Sequence, residues 1–170
     1  AAGFINKVPE IVKEYGNEFT VATVGTIKVT PHSVNVIPGT CTFSLEIRDQ
    51  SAEVMKLIEN HLRRLLEDIC KKYGVTSTFV PTSYHDPAPM SELVRGTIEE
   101  AVKELGIDYT VIPSGAFHDS LIMTSVFPTG MIFVPSKDGI SHSRYEYTAP
   151  EDIENGCNVL LNTVLKLDEK

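Results

Sequence analysis

Positive charge, cysteine and long apolar runs are all scarce in this sequence. The 15 Lys and Arg stand against 23 Asp and Glu, for a formal net charge of -8. A surplus of that sign repels phosphate backbones and anionic lipid, which argues against nucleic acid or a membrane surface as partner. No apolar stretch approaches the roughly 20 residues a membrane-spanning helix needs. The opening Ala1-Ala2-Gly3-Phe4 has neither the basic nor the long apolar region of a signal peptide. The initiator Met is also missing, which fits a processed or a truncated start. The three cysteines, Cys41, Cys70 and Cys157, are scattered, and no CxxC pair offers a thiolate metal site. Each falls at an apolar position of a strand or helix pattern. That predicts buried free thiols and a reducing, cytoplasmic compartment. No Gly-Lys-Ser/Thr ending marks a phosphate-binding loop, and no G-x-S-x-G marks a serine esterase.

What is present fits one domain or two small ones in 170 residues. Phe4, Ile5, Val8, Ile11, Val12 and Tyr15 recur at helical spacing, interrupted at Pro9 and closed by Gly16. Residues 18–29 are rich in Thr and Val and alternate, which predicts a strand. Thr30-Pro31-His32-Ser33 is turn chemistry. A second strand region follows, broken at Pro38-Gly39. In its later part Cys41, Phe43, Leu45 and Ile47 are predicted to face a core, with Thr42, Ser44, Glu46 and Arg48 facing away. Ser51 can cap a helix bearing Val54, Ile58, Leu62, Leu65, Leu66, Ile69 and Cys70 on one face, with Gly74 at its end. His61 beside that stripe reads as a partly buried structural residue. A short strand is predicted over 75–80. The order helix, strand, strand, helix, strand is a ferredoxin-like unit that lacks its opening strand.

Residues 84–89, with His85-Asp86 inside, read as a linker. Domains are accordingly expected at 1–83 and 84–170. Ser91 can cap a helix with a core face of Leu93, Val94, Ile98, Ala101, Val102 and Leu105, ended by Gly106. Short buried strands are predicted at 109–112 and 130–134, separated by a helical stretch that opens at Ser114–Ser120 and runs to Val126. Thr148-x-x-Glu151 predicts a capping box, with Pro150 in the first turn. The last helix carries Ile153, Cys157, Leu160, Leu161, Val164 and Leu165 as its stripe. Helices alternating with short apolar strands imply a parallel, two-sided sheet.

Three places have chemistry to offer. The loop Pro135–Thr148 leaves an apolar run and carries His142, a candidate ligand, four residues before the carboxylate of Glu146. The stretch Ser114-Gly115-Ala116 with His118-Asp119 reads either as a capped turn or as amides placed to bind an anion. Arg48 reads either as a solvated charge or as a clamp on a carboxylate.

These residues carry a resemblance. Thr23–Pro31, Asn35-Val-Ile-Pro-Gly39, Phe43-Ser-Leu-Glu-Ile-Arg-Asp49, Ser114-Gly-Ala-Phe-His-Asp119, Pro128–Ser136 and Gly139-Ile-Ser-His142 resemble, in order, the M20-type amidohydrolases. That family includes the N-carbamoyl-L-amino-acid hydrolases and allantoate amidohydrolases. The resemblance implies an α/β (α+β) protein: an incomplete ferredoxin-like dimerisation domain, then the C-terminal part of an α/β metallohydrolase catalytic domain. It implies hydrolysis of the linear C–N bond of a carbamoyl or ureido acid, two divalent ions (Zn or Mn), and a homodimer. His142 is then a metal ligand. Asn35 and Arg48 hold the substrate, with Gly115, Ala116 and His118 around it and Glu146 nearby. Phe117 stands where the family often has Gly, and Arg144-Tyr145 where Pro-Glu is common. The other metal ligands and the catalytic Glu are absent, so this piece is expected to be inactive and to hold an incomplete metal site at most. A peptidase or deacylase of the same superfamily, and a dimerisation module without chemistry, are the alternatives.

Overall fold

The computed structural model describes residues 1–169 and is mixed α/β. It divides into two compact units, Ala1–Pro87 and Ala88–Lys170. In the first unit Pro9 decides how the helical pattern is cut. Helix α1 spans Ala2–Ile5, and α2 spans Val8–Tyr15 with the proline in its first turn, where a missing N–H costs nothing.

Strands β1 (Val21–Thr23) and β4 (Glu46–Arg48) pair antiparallel, as do β2 (Ile27–Thr30) and β3 (Thr40–Phe43). The two ladders are halves of one hairpin. Thr23 faces Glu46 and Ile27 faces Phe43, so Val24, Gly25 and Thr26 oppose only Ser44 and Leu45. One extra residue on the first strand breaks the ladder, as a bulge does. The gap is stitched by the Ser44 N–H donating to the Thr26 carbonyl at 3.2 Å. The Thr26 N–H donates in turn to Ser44 Oγ at 3.0 Å.

Helix α3 (Ala52–Tyr73) begins where expected, with Ser51 Oγ accepting from the Val54 amide. It ends at Gly74, whose φ of 62° is the left-handed closure glycine adopts without a Cβ penalty. The core is small: Phe4, Val8, Ile58 and Leu62 are buried, with Ala22, Val24, Phe43, Leu45 and Ile47 of the hairpin packed against them. His61 is half-buried and stacks on Tyr15 at 3.6 Å between ring centroids.

In the second unit α4 (Glu92–Glu104) is capped by Ser91. The short α5 (Asp119–Met123) and the long α6 (Pro150–Asp168) follow. Helices α4 and α6 meet through small side chains. Thr97, Ala101, Val102, Val159 and Thr163 are all buried. The threonine hydroxyls are satisfied within their own helices, Thr97 donating to the Leu93 carbonyl at 2.9 Å and Thr163 to that of Val159 at 2.7 Å. Lys166 Nζ reaches Glu104 Oε1 at 2.6 Å across the pair.

Several expectations are corrected. Cys41 and Cys157 are exposed and Cys70 is half-buried, although all are free thiols. Cys41 pairs with Val29 on the part of the hairpin that extends past the core. On α6 the stripe of large apolar side chains points away from α4: Ile153, Leu160, Leu161, Val164 and Leu165 are each at least half exposed. On α4, Leu93 and Leu105 are exposed as well. The capping box does not form. The α6 N-cap is Ala149, one residue late, without a side-chain bond. Helix α5 ends at Met123 rather than Val126 and continues as turns.

The predicted strands at 75–80, 109–112 and 130–134 form no ladder among the described residues, so the parallel sheet is absent there. An extended segment becomes a strand only when a neighbour takes its hydrogen bonds. Segment 130–134 is packed on one side only. A Cβ on Gly130 would meet Val94 of α4 at 2.7 Å, and one on Gly156 of α6 would meet Val134 at 2.5 Å. Phe133 and Val134 nevertheless stay exposed on the other side.

Candidate functional site

Each candidate is held by local chemistry. Arg48 lies on β4 opposite Val21 and is exposed. Alternation along the strand puts it on the same face as Glu46, and its Nε and Nη2 both donate to Glu46 Oε1, at 3.0 and 2.8 Å. Exposed ion pairs contribute about 0–1 kcal/mol, so a ligand carboxylate can displace Glu46 at little cost. Asp49 anchors the strand end beside it. Its carboxylate accepts from the Thr20 hydroxyl, from Asn17 Nδ2 at 3.3 Å and from the Ser51 amide at 2.8 Å. The sequence signal for this anchor is an acidic residue between the last strand position and a helix cap. Asn35 sits in the exposed 31–39 turn, beyond the Thr30–Thr40 pair, and its Oδ1 accepts from Ser33 Oγ at 2.7 Å. Asn35 and Arg48 are thus placed at opposite ends of the hairpin.

In the second unit one hydroxyl organises the turn before α5. Ser114 Oγ accepts from the Ala116 amide at 3.3 Å and lies 2.8 Å from His118 Nε2. The His118 ring also meets Phe133 edge-on at 5.6 Å. Gly115 and Ala116 are therefore exposed on a turn whose two ends are tied together. Ser114 was not singled out from the sequence as that tie.

The loop carrying His142 is closed at its base by the Lys137 amide donating to the Tyr147 carbonyl at 2.8 Å. Inside it, Asp138, Gly139 and His142 have φ of 57°, 67° and 55°. Left-handed backbone costs a residue with a Cβ roughly 1–2 kcal/mol. His142 is exposed, and Glu146 Oε2 accepts from its main-chain amide at 2.8 Å. The expected pairing of this histidine with this carboxylate exists, but it runs through the backbone.

The donor set is thin. Among the described residues no group of three or more His, Cys, Asp and Glu could hold a metal ion. A two-metal centre needs several protein ligands. The described residues by themselves do not fit one, and no metal-dependent step follows from them. None of the helices of residues 1–169 is long and apolar enough to cross a membrane.

Residues 10–166 match the family model "Peptidase family M20/M25/M40". The chain belongs to that family. This M20 chain is 38% identical to an N-carbamoyl-L-amino acid amidohydrolase of Geobacillus stearothermophilus over 98% of its own length and 40% of the relative's. It is 34% identical to an allantoate amidohydrolase of Bacillus subtilis, over 85% of the chain and 35% of the relative. A solved structure of AtUAH in complex with glyoxylate superposes with a TM-score of 0.92 at 34% identity, covering 99% of the chain and 40% of that structure. An amidase of the hydantoinase/carbamoylase family from Burkholderia multivorans gives 0.86 at 34% identity, over 97% and 40%. The M20 chain therefore spans 35–40% of the length of these relatives.

Proposed function

We propose that this chain is part of an amidohydrolase that cleaves the linear C–N bond of N-carbamoyl-L-amino acids or allantoate-like ureido acids. One observation carries the reading. Relatives named for those activities, and for ureidoglycolate hydrolysis, align over 85–98% of the chain. Of the stretches that carry the resemblance, those holding Arg48, Gly115 and His142 lie on the exposed strand, turn and loop just described.

The roles follow from the chemistry of each group. Arg48, held ready by Glu46 and anchored through Asp49, grips the substrate carboxylate. Asn35 is the second substrate-holding residue that the resemblance implies, and because it lies at the other end of the hairpin it does not share one small acid with Arg48 of the same copy. The tied turn at Gly115 and Ala116, with His118 beside it, is the substrate-binding candidate of the second unit. These contributions are orientation of a small polar acid before reaction. His142 supplies one imidazole toward the two divalent ions, zinc or manganese, that the family resemblance implies. Residues 1–83 belong to a ferredoxin-like domain through which two copies of the enzyme pair, and 84–170 to a catalytic α/β domain. The hairpin packed on the 22-residue α3 supports the first assignment. The cytoplasm is the proposed compartment.

The test is ammonia release by the enzyme that carries this chain, from N-carbamoyl-L-amino acids, allantoate and ureidoglycolate, run beside dipeptides and acyl-amino acids. Turnover confined to the ureido acids is expected. Turnover confined to dipeptides moves the assignment to the peptidase reading that the family model's description favours. Silence on every substrate, with dimers intact, replaces it by a non-catalytic dimerisation module.

A further inference from the structure

The histidine loop contains a carboxylate, Glu146, that bonds the main-chain amide of the candidate ligand His142. We propose that Glu146 is a positioning residue: its carboxylate pins the His142 amide and so keeps the imidazole of His142 in one presentation. Three observations meet here.

The first is the bond itself, the His142 N–H donating to Glu146 Oε2 at 2.8 Å. A carboxylate acceptor makes it charge-assisted and stronger than a neutral bond. The second is the backbone it fixes. His142 has φ of 55°, a conformation that a residue with a Cβ leaves when nothing holds it. The third is how Glu146 is brought within reach. The Glu146 amide donates to the Ser143 carbonyl at 3.0 Å, and the Tyr145 amide to Ser143 Oγ at 3.3 Å. That turn folds the chain back so that a carboxylate four residues downstream faces the histidine amide. The rest of the loop is tied elsewhere, by Lys137 to Tyr147 at the base and by Ser136 Oγ to the Ile140 carbonyl at 2.5 Å. Those ties fix where the loop begins and ends. The direction in which Cβ of His142 leaves the backbone depends on its own φ, and Glu146 is the side chain bonded at that point. That His142 is worth holding rests on the function proposed above; the clamp does not.

Nuclear magnetic resonance on the 170-residue chain tests the clamp without any activity. The three-bond coupling between Hα of His142 and the carbonyl carbon of Ser141 is large only at positive φ and so reports the left-handed backbone, and hydrogen exchange reports the bond. In Glu146→Ala the coupling is expected to average, and exchange of the His142 amide to speed up about tenfold, as loss of one charge-assisted hydrogen bond implies. Glu146→Gln keeps an acceptor oxygen and is expected to restore the coupling and most of the protection. Resonances of α4 and α6 should stay in place in both variants. A Glu146→Ala protein that keeps the left-handed coupling and slow exchange overturns the proposal. So does a Glu146→Gln protein as disordered at residue 142 as the alanine variant. Loss of order in Glu146→Ala with ureido-acid turnover by the enzyme unchanged supports the clamp and removes His142 from the site.

Discussion

Replacing Val159 of α6 by Ala should destabilise the second unit more than replacing Leu161 by Ala, although the leucine change removes more carbon. Val159 is 4% exposed and packs against α4, whereas Leu161 is 57% exposed. Deleting two buried methyl groups at about 0.8 kcal/mol each, plus a cavity contribution, gives roughly 2 kcal/mol for Val159→Ala. Deleting three carbons at Leu161, more than half of them already in water, gives about 1 kcal/mol on the same scale. Alanine's better helix propensity returns a few tenths of that. For a unit of this size about 1 kcal/mol moves the midpoint by 4–8 °C, so Val159→Ala should melt roughly 8–16 °C lower and Leu161→Ala no more than about 6 °C. Thermal melts of the 170-residue chain followed by far-ultraviolet circular dichroism measure both. Equal shifts, or a larger one for Leu161, would mean that α6 turns its leucine stripe inward. The α4–α6 packing described here would then be wrong.

Arg48→Ala in the active enzyme should raise KM for carboxylate-bearing substrates about 10–100-fold with kcat little changed, as expected when one charge-assisted grip is lost; steady-state kinetics decide, and an unchanged KM removes Arg48 from the site. Gly74→Ala should cost about 1 kcal/mol by urea titration, because the φ of 62° opposes any Cβ while no neighbouring atom crowds it. The start of α3 should be sensitive to acid. The Ser51 hydroxyl, donating to Glu53 at 2.8 Å, holds that carboxyl below its ordinary 4.5. A group lowered on folding stabilises the fold above its unfolded value, and that contribution is lost as pH falls through the folded one. Helicity of the wild type should therefore drop more than that of Glu53→Gln on titration from pH 5 to about 3. Parallel curves would show that the Ser51–Glu53 contact carries no linkage.

Much of the local structure was legible because local chemistry decides it. Ser51 and Ser91 cap helices through their own hydroxyls, Gly74 closes one with a left-handed turn, and Pro9 marks a helix start; each depends on residues within one turn of itself. The exposure of Arg48 and the half-burial of His61 were likewise readable from strand alternation and helix periodicity. The Glu146 contact was only half legible. Spacing placed the carboxylate near His142, but the choice of the amide over the imidazole depends on a left-handed φ.

Tertiary structure decided which face of each helix is inside. Periodicity finds large apolar side chains and assigns them to a core. Helices α4 and α6 instead approach through Thr97, Ala101, Val159 and Thr163, because small side chains whose hydroxyls bond back to their own helix let two backbones come close. The leucines of α6 are left on the opposite side. Strand pairing was decided the same way: an apolar extended segment states its preference, but a ladder forms only where a second backbone lies alongside, and 75–80, 109–112 and 130–134 have none among the described residues. Amino-acid order alone determined the caps of α3 and α4, the left-handed end of α3 and which groups carry charge. Which surfaces meet depended on distances between segments far apart in the chain, and no local pattern encodes those.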